Sequence, residues 1–138
     1  MTGYLHPVLS PRSLSSVVNR LAKKIRDSGL KYDFIACRGT SGLLVAGPLA
    51  LALKKKIVVI RKEKKATHGR LTEYLGDVLS KCIVVDDLID TGVTMRIVCR
   101  RIKDEGGKCV GIFLYNGRGW SSRLYKKWGK DNIPVFYL

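Results

Sequence analysis

CIVVDDLIDTGVTM, residues 82–95, reads as an apolar strand that ends on two adjacent aspartates, Asp86 and Asp87. A third carboxylate, Asp90, follows, and Thr91, Gly92, Val93 and Thr94 then lead into a segment with helical spacing. Two neighbouring negative charges repel and gain nothing without a partner. The chain around them carries 26 Lys and Arg against 11 Asp and Glu, a formal charge of +15. The turn after the aspartates points to what they face. The first N–H groups of a helix lack internal partners and aim outward with the positive end of the helix dipole. Gly92 lets the backbone wrap closely around a ligand, and Thr91 and Thr94 add hydroxyls. The stretch has the makings of a phosphate cradle. It is not a Walker loop, because G-x-x-x-x-G-K-[ST] is absent.

Working outward, Leu14, Val17, Val18, Leu21 and Ile25 follow helical spacing, with Ser13 expected as the cap and Gly29 as the stop. Residues 32–37 read as a strand, and Arg38-Gly39-Thr40-Ser41-Gly42 as a loop. Residues 43–53 are apolar all round, as in a buried helix, although Pro48 warns of a kink or a late start. Residues 56–61 form a β-branched run suited to a strand buried on both faces. The polar stretch 63–76 predicts a long loop with a short hairpin. Residues 94–105 predict a helix with Met95, Val98, Cys99 and Ile102 on one face. Gly106 and Gly107 end it, 108–115 is a strand, 117–129 is irregular, and 133–137 is a last short strand. Strands alternating with helices imply an α/β fold with a parallel sheet flanked by helices, in one domain spanning 1–138. Ligands of such sheets bind at the carboxyl ends of the strands, where residues 38–42, 61–69 and 86–94 all fall.

No apolar run nears the ~20 residues of a membrane span, and the first residues lack a leader pattern, so a cytoplasmic chain with no membrane partner is expected. Cys37, Cys82, Cys99 and Cys109 form no C-x-x-C pair and are expected as reduced, buried hydrophobes. The basic excess favours a polyanionic partner: nucleic acid, an anionic membrane or a phosphorylated small molecule.

Paired carboxylates can hold a metal, raise one another's pKa, or accept hydrogen bonds from two hydroxyls. A phosphate cradle a few residues away favours the last. A sugar phosphate offers a phosphate at one end and vicinal hydroxyls a few ångströms off.

VVDDLIDTGVT, residues 84–94, resembles the phosphoribosyl pyrophosphate signature of type I phosphoribosyltransferases, and matching segments run in order over about residues 32–115. The resemblance implies that family's fold, with a core of about 31–116 and a reduced hood from 1–30, 117–138 or both. It implies that Asp86 and Asp87 hold the ribose 2- and 3-hydroxyls. Asp90, Thr91, Gly92, Val93 and Thr94 would take the 5-phosphate. Arg38, Gly39 and Thr40 resemble the pyrophosphate loop, often strained in the family by a non-proline cis peptide. RKEKKATHG, residues 61–69, is similar to the lid of orotate phosphoribosyltransferases. Arg61, Lys62, Lys65 and His68 match it, with one extra residue between Lys65 and His68.

The implied activity is transfer of ribose 5-phosphate from phosphoribosyl pyrophosphate to a nucleobase. Mg²⁺ is the implied cofactor, with Asp86 and Asp87 reaching it through the ribose or through water. Breaking the bond from ribose C1 to pyrophosphate develops positive charge on the sugar and negative charge on the leaving group. Carboxylates then face the cationic side while Arg38, Lys62 and Lys65 face the anionic one. Asp90 matches the position where 6-oxopurine enzymes carry an aspartate near the base, which favours guanine, hypoxanthine or xanthine over orotate. By the resemblance Asp90, Lys65 and His68 are the catalytic candidates. Trp120, Tyr125 and Trp128 offer aromatic faces for the base, Trp120 foremost, and Arg118 can meet an acidic acceptor. A homodimer is implied because related lids work across a subunit interface. A different class stays open: a regulator that senses the sugar phosphate and binds nucleic acid through Lys54, Lys55, Lys56, Arg96, Arg100 and Arg101.

Overall fold

A computed structural model of the chain describes residues 5–62, 71–116 and 124–138. After a 3₁₀ turn, His6–Val8, helix α1 spans Pro11–Ser28. Its cap is Ser10, whose side chain accepts from the Ser13 N–H at 3.1 Å, and not Ser13 as expected. Pro11 explains the earlier start: at the first helical position its missing N–H has no bond to lose. Val17, Val18, Leu21, Ala22 and Ile25 form the buried face, and Gly29 ends the helix at φ 69°.

The sheet follows from strand β1 (Phe34–Arg38), helix α2 (Gly39–Leu53), β2 (Lys56–Ile60), β3 (Thr72–Glu73), β4 (Lys81–Asp86), helix α3 (Val93–Asp104), β5 (Lys108–Leu114), β6 (Lys127–Trp128) and β7 (Ile133–Tyr137). The spatial order is β3-β2-β1-β4-β5-β7-β6. β2, β1, β4, β5 and β7 are parallel, and the two-residue strands β3 and β6 run antiparallel at the edges. The parallel α/β fold read from the sequence is the one observed.

Side-chain alternation splits the core into two layers. Ile35, Cys37, Ile83, Val85 and Phe113 pack with α1 and α2. Phe34, Ala36, Val84, Ile112 and Leu114 pack with Met95, Val98 and Ile102 of α3. The four cysteines are free thiols, with Cys37, Cys82 and Cys109 buried. Burial and the nearby Asp86 push the Cys37 thiol up to about 12.

Residues 38–42 are not the loop expected. β1 ends at Arg38 and α2 begins at Gly39, so the chain turns through one residue at φ 77°. Gly42 makes this compact join fit. A Cβ there would lie 2.9 Å from the Val85 carbonyl oxygen and 3.1 Å from Cys37 Cβ. Pro48 lies inside α2 and cannot donate the N–H that would bond residue 44. Among the described residues all peptide bonds are trans. No described helix is long and apolar enough to cross a membrane.

Candidate functional site

A cleft of about 160 Å³ opens at the carboxyl ends of β1 and β4. Its basic wall is Arg38 and Lys62, with Ser41 of the first turn of α2 beside them. Asp86 and Asp87 form the acidic floor, and the turn from Leu88 through Gly92 to Thr94 closes the far side.

Asp86 is 7% exposed. Its Oδ1 accepts from Ser41 Oγ at 3.0 Å and from the Asp87 N–H at 2.8 Å, while Asp87 Oδ1 accepts from the Leu88 N–H at 2.8 Å. Burial first, and the Asp87 charge second, push the Asp86 carboxyl up to about 7. The two residues that follow β5 pin this pair. The Tyr115 N–H donates to the Asp86 carbonyl at 3.1 Å, and the Asn116 N–H to the Asp87 carbonyl at 2.8 Å. The Tyr115 hydroxyl donates to the Ser41 carbonyl at 2.9 Å. Burial, then Asp87 and Asp86, raise the Tyr115 hydroxyl above its ordinary range, which keeps it protonated as a donor. Three elements are thus locked around the carboxylates.

The turn into α3 is open to an anion. Gly92 caps the helix at φ 88° with no side-chain bond, and the first turn has no acidic residue. Thr91 Oγ1 accepts from the Val93 N–H only at 3.4 Å, and the Arg96 N–H closes the first turn onto the Gly92 carbonyl at 2.9 Å. A Cβ on Gly92 would collide with the indole of Trp128. On the opposite wall the Arg38 Nε is buried without a protein partner. Lys62 lies across Gly39, where a Cβ would be 2.9 Å from its Cε. Buried donors without partners and uncapped amides both gain from an arriving anion.

The structure brings together Arg38, Lys62, Asp86, Asp87, Asp90, Thr91, Gly92 and Thr94 from the sequence reading. Val93 is 53% exposed and, like Gly39 and Thr40, does not line the cleft. Arg61 turns to Glu73, with Nη2 at 2.6 Å and Nε at 3.0 Å, and ties β3 to the end of β2. Lys65, His68, Arg118 and Trp120 lie outside the described residues. Ser41, Met95 and Tyr115 were missed by sequence reasoning. Ser41 stood within the quoted RGTSG segment, but Tyr115 gave no local signal.

The cleft thus joins a buried carboxylate that accepts from a hydroxyl to a helix start without a side-chain cap, at the carboxyl ends of a parallel sheet. The chain belongs to the phosphoribosyl transferase domain family, whose model matches residues 12–133. It is 34% identical over 117 residues to an orotate phosphoribosyltransferase of Archaeoglobus fulgidus, covering 83% of this chain and 64% of that protein. It is 28% identical over 120 residues to an adenine phosphoribosyltransferase of Acetivibrio thermocellus, covering 76% of this chain and 70% of that protein. The crystal structure of orotate phosphoribosyltransferase from Aeropyrum pernix shares the fold, with a TM-score of 0.74 at 22% identity over 100% of this chain and 78% of that one.

Proposed function

We propose that this chain transfers ribose 5-phosphate from phosphoribosyl pyrophosphate to a nucleobase, with the cleft at residues 86–94 as the active site. The buried, hydroxyl-accepting Asp86 beside Asp87, next to an uncapped α3, carries the reading. In it, Asp86 and Asp87 accept from the ribose diol. The first amides of α3, with Thr91 and Thr94, hold the 5-phosphate. Arg38 and Lys62 meet the pyrophosphate, with Lys65 and His68 as further candidates for that role by the resemblance. The bond from C1 to the pyrophosphate oxygen breaks, with its electron pair leaving on pyrophosphate. A bond forms from C1 to a base nitrogen, whose proton passes to Asp90 or to water.

Mg²⁺ fits this donor set as a substrate-borne ion. Among the described residues there is no group of three His, Cys, Asp or Glu that could cage a metal. Magnesium commonly sits on one or two carboxylates plus substrate phosphates, and Asp86 and Asp87 can serve in that way. When bound it would neutralise charge developing on the pyrophosphate.

For the acceptor, the resemblance of Asp90 to the aspartate that 6-oxopurine enzymes carry near the base favours a 6-oxopurine, and Asp90 is an exposed residue of the cleft lining. A panel of guanine, hypoxanthine, xanthine, orotate and adenine, assayed for pyrophosphate release with Mg²⁺, tests this. Turnover with orotate or adenine alone would remove the 6-oxopurine assignment. The joint change Asp86→Asn with Asp87→Asn is expected to lower sugar-phosphate affinity by about 100-fold or more while the circular dichroism spectrum is kept, since several hydrogen bonds to ligand are lost together. Undiminished binding in that variant would sink the whole assignment.

A second reading has its own observation. Lys56, Lys81 and Lys108 are exposed at the starts of β2, β4 and β5, on the sheet edge opposite the cleft, with Lys54 and Lys31 exposed nearby. This edge suits a nucleic-acid backbone. Binding there should weaken steeply with salt, and glutamates at these three lysines should abolish it without slowing transfer.

A further inference from the structure

The outer edge of the Trp128 ring lies against Gly92, and we infer that Trp128 is a positioning residue that braces the phosphate-holding turn. A Cβ on Gly92 would collide with Trp128 Cη2 and come within 3.3 Å of Cζ2 and 3.4 Å of Cζ3. Trp128 is not among the residues that line the cleft. It is itself firmly held. Its ring packs edge-on against Tyr125 at 5.0 Å and 83° and joins the α3 side of the core. β6 pairs with β7 through Trp128 opposite Ile133, and the Tyr125 N–H donates to the Tyr137 hydroxyl. The Val135 N–H bonds the Lys126 carbonyl at 3.0 Å, and the Asn132 N–H bonds the Gly129 carbonyl at 3.2 Å.

The brace answers a physical need. Gly92 is buried at φ 88°, and a glycine has more backbone freedom to lose than any other residue. No side-chain cap at Gly92 holds the first turn of α3. A rigid indole edge against its Cα confines the turn, so the amides of residues 93–95 are aimed before the anion arrives. Preorganisation of this kind raises affinity without adding a contact to the ligand. Plain core packing would make a different prediction: loss of stability alone.

This inference rests on the function proposed above, and its test separates the two. Trp128→Ala is expected to raise KM for phosphoribosyl pyrophosphate about 10-fold or more with kcat within about threefold, because misaimed binding groups cost affinity before chemistry. Trp128→Phe should recover most of that loss. In a Trp120→Phe background Trp128 is the remaining tryptophan, and its emission should shift on titration with ribose 5-phosphate or inorganic phosphate. An unchanged KM in a folded Trp128→Ala protein would overturn the inference. If that variant does not fold, an unchanged KM in a folded Trp128→Leu protein overturns it instead. Should the parent chain bind neither probe, the site assignment itself fails and the brace falls with it.

Discussion

Asp86 shows the cost of this site most plainly. Its carboxyl is buried beside a second carboxylate and titrates at about 7, against about 4 in an unfolded chain. Between those values the folded chain keeps the proton and the unfolded chain does not. Stability therefore falls as pH rises through this window and levels off above it. Asp86→Asn keeps an acceptor for Ser41 Oγ and the Asp87 N–H but removes the charge. The variant should melt about 5 °C higher than the parent near pH 8 and at the same temperature near pH 4, while losing sugar-phosphate affinity. A scan of melting temperature against pH checks the crossover. Asp86 and Asp87 were legible from sequence because their oddity is local: two charges in adjacent positions at the end of an apolar run. Ser41 and Tyr115 were not, because each matters only through a partner 45 or 74 residues away.

Helix α2 carries the main misreading of an element. Gly39, Thr40, Ser41 and Gly42 look like loop formers, and propensity places the helix start after them. Packing decides otherwise. Gly42 lets the helix lie against Val85 and Cys37, and that contact sets Ser41 within reach of Asp86. Gly42→Ala should destabilise the fold by about 1–3 kcal/mol, as overpacking does, and also weaken ligand binding by pushing α2 off β4. Chemical denaturation gives the first and calorimetric titration the second. Stability loss with intact affinity would show that the cleft tolerates movement of α2. Helices α1 and α3 were read nearly to their ends because a buried stripe imposes a period on the residues themselves. A short hairpin was expected within 63–76, but the bounds of β3, and β6 altogether, were out of reach, since two residues have no period and exist as strands only through pairing with β2 and β7.

At +15 the chain repels itself, and its ion pairs do little to offset this. Among the described residues the pairs are Lys23–Asp27, Arg61–Glu73 and Lys103–Asp131, all substantially exposed. Exposed pairs contribute little and are screened by salt. Raising ionic strength from about 50 mM to about 300 mM should therefore raise the melting temperature by a few degrees, because screening relieves net repulsion. A fall would mean that specific ion pairs outweigh the net charge. The alternation of apolar runs and the local chemistry of residues 84–94 sufficed to read a parallel α/β sheet and the strand end at which its cleft opens. Such features are written in neighbouring residues, so they can be read without coordinates. The order of the strands, the direct join of β1 to α2, the Ser41–Asp86–Tyr115 lock and the indole against Gly92 were settled only by tertiary structure. Each depends on groups far apart in the chain, and burial and packing at a distance leave no mark on local sequence.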